Sequence, residues 1–249
     1  MSLVEQAESV DDVHRLLARC IEAGRDENSA DAYFALLYAW ETRDIENAAR
    51  AGVFEAPDEL RRMIVTFANR YFAARAQFRA NQPMSRAWAL AFRAAHSTSA
   101  LVVQHILLAM NAHINVDLGV AAAATGLPWP DYARVDAILG RGVGRIQGSL
   151  NRTTPVLRGL DLIGGEFDEM LTIYSMKAAR RQAFVLAQQL RAAPQAEHPS
   201  LVAEADDCAL RLGQRLLDPP LRDRLLLAAV RITERNVSPR QLLAILEQS

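Results

Sequence analysis

Cysteine is scarce in this chain. Only Cys20 and Cys208 occur, far apart and without Cys-x-x-Cys spacing, which argues against a zinc knuckle and a disulfide scaffold and leaves two reduced core thiols. Charge of one sign is missing as well: 28 basic residues face 29 acidic ones, for a formal charge of -1. No five basic residues run together, so the footprint of a nucleic-acid-binding protein is absent and nucleic acid is not an expected partner. The apolar run from Ser99 to Met110 is too short and too polar to span a bilayer. The opening Met-Ser-Leu-Val-Glu-Gln places no basic stretch before an apolar core, so the expectation is a cytoplasmic protein with no membrane partner. Glycine and proline are few, 12 and 10 in 249 residues, and 51% of the chain is hydrophobic, a composition that buries a sizeable core and excludes general disorder.

Period-two alternation bounded by hairpin turns is also missing, whereas apolar residues recur at three and four positions along nearly every segment. The class is therefore all-α, a single multi-helix bundle-like domain with a C-terminal helical extension. A first helix fits Asp11 to Ala23, with Gly24 as its stop, and a second fits Ala30 to Ala51, capped by Ser29. Pro57 at a first-turn position starts a third through Met63, Phe67 and Tyr71. Trp88 and Phe92 mark a fourth, ending near His96, and Ser97-Thr98-Ser99 offers caps for the next. Gly126-Leu127-Pro128-Trp129-Pro130 reads as a loop, and Asp131 as the cap of a helix through Val135 and Leu139. The glycines from Gly140 to Gly148 suggest close packing or a hinge, and a long helix is expected from Glu166 to about Ala192. Arg180-Arg181 reads as surface charge. The stretch Pro194 to Pro199 reads as a linker, dividing a core domain at 1–193 from an extension at 194–249 that packs on it.

Chemistry concentrates in the helix carrying Gln104-His105 and Asn111-Ala112-His113-Ile114-Asn115-Val116-Asp117-Leu118. At about 100° per residue, His105, His113 and Asp117 share one face of a continuous helix. His113 and Asp117, four apart, can bind one another or one ion. His105 lies about 12 Å along the axis from His113, too far to share an ion with it on a straight helix. Gln104, Asn111 and Asn115 form a second polar stripe. Buried amides and imidazoles must find partners in neighbouring helices, water or a ligand, or Asn115 and Asp117 cap a following helix at a corner. Glu-x-x-His pairs, Gly-x-Ser-x-Gly and P-loops do not occur, which removes the usual helical di-iron, nucleophile-elbow and phosphate-loop signatures.

The motif Asn111-Ala112-His113-Ile114-Asn115-x-Asp117-Leu118, preceded by Gln104 and an apolar run ending in Met110, resembles the signature of a bacterial family of unknown function, DUF5995. Phe67-Ala68-x-x-Tyr71-Phe72-Ala73 and the Pro83-to-Trp88 spacing before Phe92 add to the resemblance, which runs from about Tyr33 to Leu190. It implies an all-α fold and a site around His113, Asn111, Asn115 and Asp117, and brings no activity. Three readings follow. In a metal-dependent enzyme, His113 and Asp117 are ligands of one zinc, iron or manganese ion, His105 is a further ligand or proton carrier, and Gln104, Asn111 and Asn115 orient substrate. In a metal-free enzyme acting on a small, mostly apolar molecule, His113 is acid or base and Asp117 holds its tautomer. In a non-catalytic ligand-binding or scaffold protein, the polar residues only fix register. A small-molecule ligand is the expected partner, and a homo-oligomer is compatible with all three.

Overall fold

The computed structural model describes residues 5–97, 100–135, 137–139, 176–219, 231 and 238–247. Helices α1 (Val10–Asp26), α2 (Asp31–Arg50), α3 (Pro57–Arg79), α4 (Arg86–Ala95) and α5 (Val102–Ala112) follow one another, then a single π turn (His113–Asp117) leads into α6 (Leu118–Thr125). Residues 129–135 and 137–139 are also helical. The order continues with α7 (Met176–Ala192), a 3-10 turn (Gln195–Glu197), α8 (His198–Leu217) and α9 (Pro239–Glu247). No strand occurs among the described residues, and the chain is all-α as its periodicity requires. The glycines from Gly140 to Gly148 and the first part of the helix expected from Glu166, up to Ser175, lie outside the described residues.

The centre of the fold is the continuous helical rod Val102–Thr125. Its 24 residues are apolar enough on length and composition to cross a membrane, at a mean hydropathy of 1.4, yet 89% of that apolar stretch is buried inside the protein. The rod outlasts the apolar run Ser99 to Met110 because the polar motif continues it without a corner. α4 and α8 cover α5, while α3 and α7 cover α6. The α1–α2 pair packs beside the rod, and α9 closes on it, where Leu242, Leu243 and Leu246 are buried and the Tyr33 hydroxyl donates to the Pro239 carbonyl.

Several local expectations are corrected. Gly24 does not stop α1, which runs to Asp26. It lies where α1 and α2 touch, and a Cβ there would sit 2.6 Å from that of Ala32. Ala30 and not Ser29 is the residue flanking α2, and the Ser29 hydroxyl accepts from the first amide of the helix, that of Asp31, at 3.4 Å. The motif helix begins at Val102, where the Leu101 amide donates to Gln104 Oε1; Thr98 and Ser99 lie outside the described residues. Asp131 sits within its helix and is fully buried. Its carboxylate accepts from the Glu55 and Ala56 amides at 3.0 and 2.7 Å, so it serves the start of α3 and not its own helix. Asp206 does the same for α4, accepting from the Ser85 hydroxyl and the Arg86 and Ala87 amides. Orphan amides at a helix start need such acceptors, and here they come from distant helices. Arg180 is buried, at 6% exposure, beside Tyr132 and Glu41.

Candidate functional site

The π turn places the motif's charged pair at the centre of the molecule. The Leu118 amide donates to the His113 carbonyl, the five-residue spacing of a π bulge, a geometry often found at functional positions. His113 and Asp117 are each 2% exposed, and the imidazole Nδ1 lies 3.1 Å from Asp117 Oδ2. Trp88 Nε1 donates to the same oxygen at 2.8 Å, and Arg70 Nε donates to Oδ1 at 2.7 Å. Burial alone would raise the Asp117 carboxyl. The bond from His113, the Arg70 guanidinium and the Trp88 bond together outweigh it and hold the group below its ordinary range.

An ionised carboxylate only accepts, so the imidazole proton resides on Nδ1 and Nε2 keeps a lone pair. Burial, opposed by Asp117, pushes the His113 pKa down, so the ring is neutral near pH 7. Nε2 is buried with no hydrogen-bond partner. The ring is clamped by aromatics: Phe67 stacks on it with centroids 3.6 Å apart and planes 6° from parallel, and Tyr38 meets it edge-on at 4.8 Å. Phe34 and Trp88 complete the enclosure at 5.5 and 5.8 Å.

His113 stands in the wall of a nearly apolar cavity of about 80 Å3 between α2, α3 and the rod, lined also by Leu37, Tyr38, Leu60, Met63, Phe67 and Ile114. The Tyr38 hydroxyl is likewise buried without a partner, and burial, with Asp117 nearby, pushes its pKa well above the ordinary value and keeps it a neutral donor. Asp117, Arg70 and Trp88 instead line an open cleft of about 600 Å3. The His113–Asp117 pair thus reaches from a nearly apolar cavity to a larger cleft of mixed lining, and Arg70 remains one-third exposed in that cleft.

The second stripe does something different. Gln104 Nε2 donates to the Leu216 carbonyl at 2.8 Å, Asn111 Nδ2 to the Ala209 carbonyl at 2.7 Å, and Asn115 Nδ2 to Asn111 Oδ1 at 2.9 Å. These amides tie the rod to α8. Gly213 permits the approach, since a Cβ there would stand 3.2 Å from Asn111 Nδ2 and 2.9 Å from Leu90. Asn115 Oδ1 keeps no partner. His105 does not join the His113 pair: its ring neighbour is Tyr33, at 6.3 Å, and burial lowers its pKa to about 4. Among the described residues no three His, Cys, Asp or Glu side chains are placed to hold a metal ion.

Arg70, Phe67 and Tyr38 do not stand out as site residues in the sequence. A signal for Arg70 exists all the same. It falls on the inner stripe of α3 with Met63, Phe67 and Ala74, and a cation in an apolar stripe calls for a buried acid.

The sequence model of a family described as a family of unknown function, DUF5995, matches residues 10–219. That span covers the motif and continues through α8. Comparison with curated proteins and with solved structures returned no match.

Proposed function

The chain belongs to the family of unknown function DUF5995, and from that premise we propose that it is a metal-free enzyme acting on a small, mostly apolar molecule, with His113 as the base. One observation carries the reading: a neutral imidazole, its tautomer held by an ionised Asp117, keeps a buried, unpartnered Nε2 on a residue that lines an apolar cavity. An orphaned buried acceptor costs about 1–3 kcal/mol, a cost that a ligand offering a proton there would remove. Asp117 orients the ring and stabilises the imidazolium formed when Nε2 takes a proton, without itself being protonated. Trp88 and Arg70 hold the carboxylate in place, and closure by Phe67 and Tyr38 excludes water.

The metal-dependent reading is less well supported by this donor set. Both Asp117 oxygens already accept from nitrogen donors, which leaves His113 Nε2 as the ligand atom still open in the pair. The scaffold reading is favoured for one stripe: Gln104 and Asn111 are spent on backbone carbonyls of α8.

The test is a panel of small apolar compounds followed by proton NMR for binding and turnover, with wild type and His113→Gln compared. Conversion of at least one compound by wild type and not by the variant is expected. Turnover unchanged in His113→Gln would remove His113 as the base. Metal analysis of untagged protein soaked in zinc, iron and manganese should find no stoichiometric ion; one that is bound by wild type and lost from the variant would reinstate the metal reading.

A further inference from the structure

The cavity walls discriminate among ligands more sharply than their apolar character alone suggests. Leu37, Ile45, Leu60, Ile64, Ile114 and Leu118 supply hydrocarbon. Within that surface two residues each keep one polar atom buried and unpartnered, and the two atoms differ in kind. The Tyr38 hydroxyl can donate, whereas His113 Nε2, with the ring proton committed to Asp117, can only accept. Their rings meet edge to face at 4.8 Å.

We infer, building on the cavity reading above, that the occupant is a neutral short-chain alcohol whose hydroxyl donates to His113 Nε2 and accepts from Tyr38. One hydroxyl oxygen satisfies both orphans, since it carries a donor and acceptor lone pairs together. A carbonyl would answer Tyr38 and leave the imidazole lone pair unmet. A carboxylate would bring a charge into a wall that holds an acid, Glu41, and, among the described residues, no arginine or lysine. A protonated amine would lose its hydration among hydrocarbon side chains and offer Tyr38 no acceptor.

Size agrees with this class. About 80 Å3 is roughly half the ~150 Å3 of an apolar cavity that takes up benzene, so the occupant is smaller than an aromatic ring. Both polar atoms are shielded by the wall. Met63 and Met110 also line the cavity, and methionine is a side chain able to change rotamer around an occupant.

The experiment compares ethanol, ethyl chloride and acetate, all smaller than an aromatic ring, by NMR titration of the full chain, reading affinity and the His113 ring-nitrogen shifts. Wild type should bind ethanol about tenfold or more tighter than ethyl chloride, the worth of one to two net hydrogen bonds. Only the alcohol should move the Nε2 resonance. Tyr38→Phe, which keeps the ring, should bring the two affinities to within about threefold of each other. Equal affinity of alcohol and chloride in wild type overturns the hydroxyl inference and leaves the cavity reading standing. Tighter acetate binding overturns it in favour of an anion. Binding of none of the three overturns both. Should Tyr38→Phe fail to fold by its melting curve, the Nε2 resonance in wild type decides alone.

Discussion

Replacing Asp117 by asparagine keeps the side chain's shape and removes its charge, and the structure says what must follow. Three donors converge on the carboxylate: Arg70 Nε, Trp88 Nε1 and His113 Nδ1. An amide offers one oxygen and one NH2, so at least one of these donors must face another donor. If the oxygen stays with Arg70, the NH2 points at Trp88 and His113. The imidazole then moves its proton to Nε2 so that Nδ1 can accept, and the indole N–H is left unpaired. Removing one partner of a buried charge pair costs about 3–5 kcal/mol. For a chain of this size each kcal/mol is worth about 2–4 °C in Tm, so Asp117→Asn should melt roughly 6–20 °C below wild type.

The pH profile adds a sign. The folded Asp117 carboxyl lies below its ordinary value of 3.8, so its stabilisation is complete above that value and disappears as pH falls through the folded one. Wild type should therefore lose more stability than the variant on acidification below about pH 4. Thermal and urea denaturation measure both effects, and ring-nitrogen NMR reads the tautomer. A loss below about 1 kcal/mol with the proton still on Nδ1 would refute the argument, because it would mean that the carboxylate contributes no more than an exposed ion pair.

His105 gives a second pH test. Its ring titrates at about 4 and not 6.5, so below pH 6.5 the unfolded chain takes up a proton that the folded chain refuses, and by pH 4 about 3 kcal/mol of stability is lost. His105→Gln should flatten that slope in urea titrations, and an unchanged slope would mean the ring is hydrated. Gly213→Ala should destabilise by about 1–3 kcal/mol through overpacking, since its methyl meets Leu90 and the Asn111 amide; a neutral melting curve would show that α8 can withdraw. Asp206→Ala should cost about 2 kcal/mol and raise amide exchange first at Arg86 and Ala87, whose N–H groups it accepts. Protection unchanged at those amides would assign their capping to another group.

Much of the fold could be read from the spacing of apolar residues, because a helix buries a stripe and the stripe shows in sequence. The His113–Asp117 bond is equally legible, being four residues long, and so is the division of the motif into two polar faces. What could not be read is whatever depends on which helix comes to lie beside which. Arg70 meets Asp117 across 47 positions, and Asp206 reaches the start of α4 across 120. Asp131 shows the limit plainly. Its type and place satisfy every rule for capping its own helix, and a nearby segment with two uncapped amides claimed it instead. Gly24 failed for a related reason: glycine before a polar stretch reads as a helix end until a second helix is known to press against it.

The π turn sets how the two ends of the rod are indexed against each other. A helix advances about 100° per residue, so the one extra residue held in a π turn rotates everything after it by that angle relative to an unbroken α-helix. Closing the rod into plain α-helix with all its residues kept would turn α6 away from α3 and α7 or α5 away from α4 and α8, whereas deleting Ile114 along with the bulge would restore the regular helix and leave both faces where they are. The irregular turn therefore acts as a coupling between two gear faces: each half of the rod meshes with its own pair of helices because the segment between them carries one tooth too many. The histidine and aspartate are the first and last residues of that coupling, and the hydrogen bond between their side chains spans it.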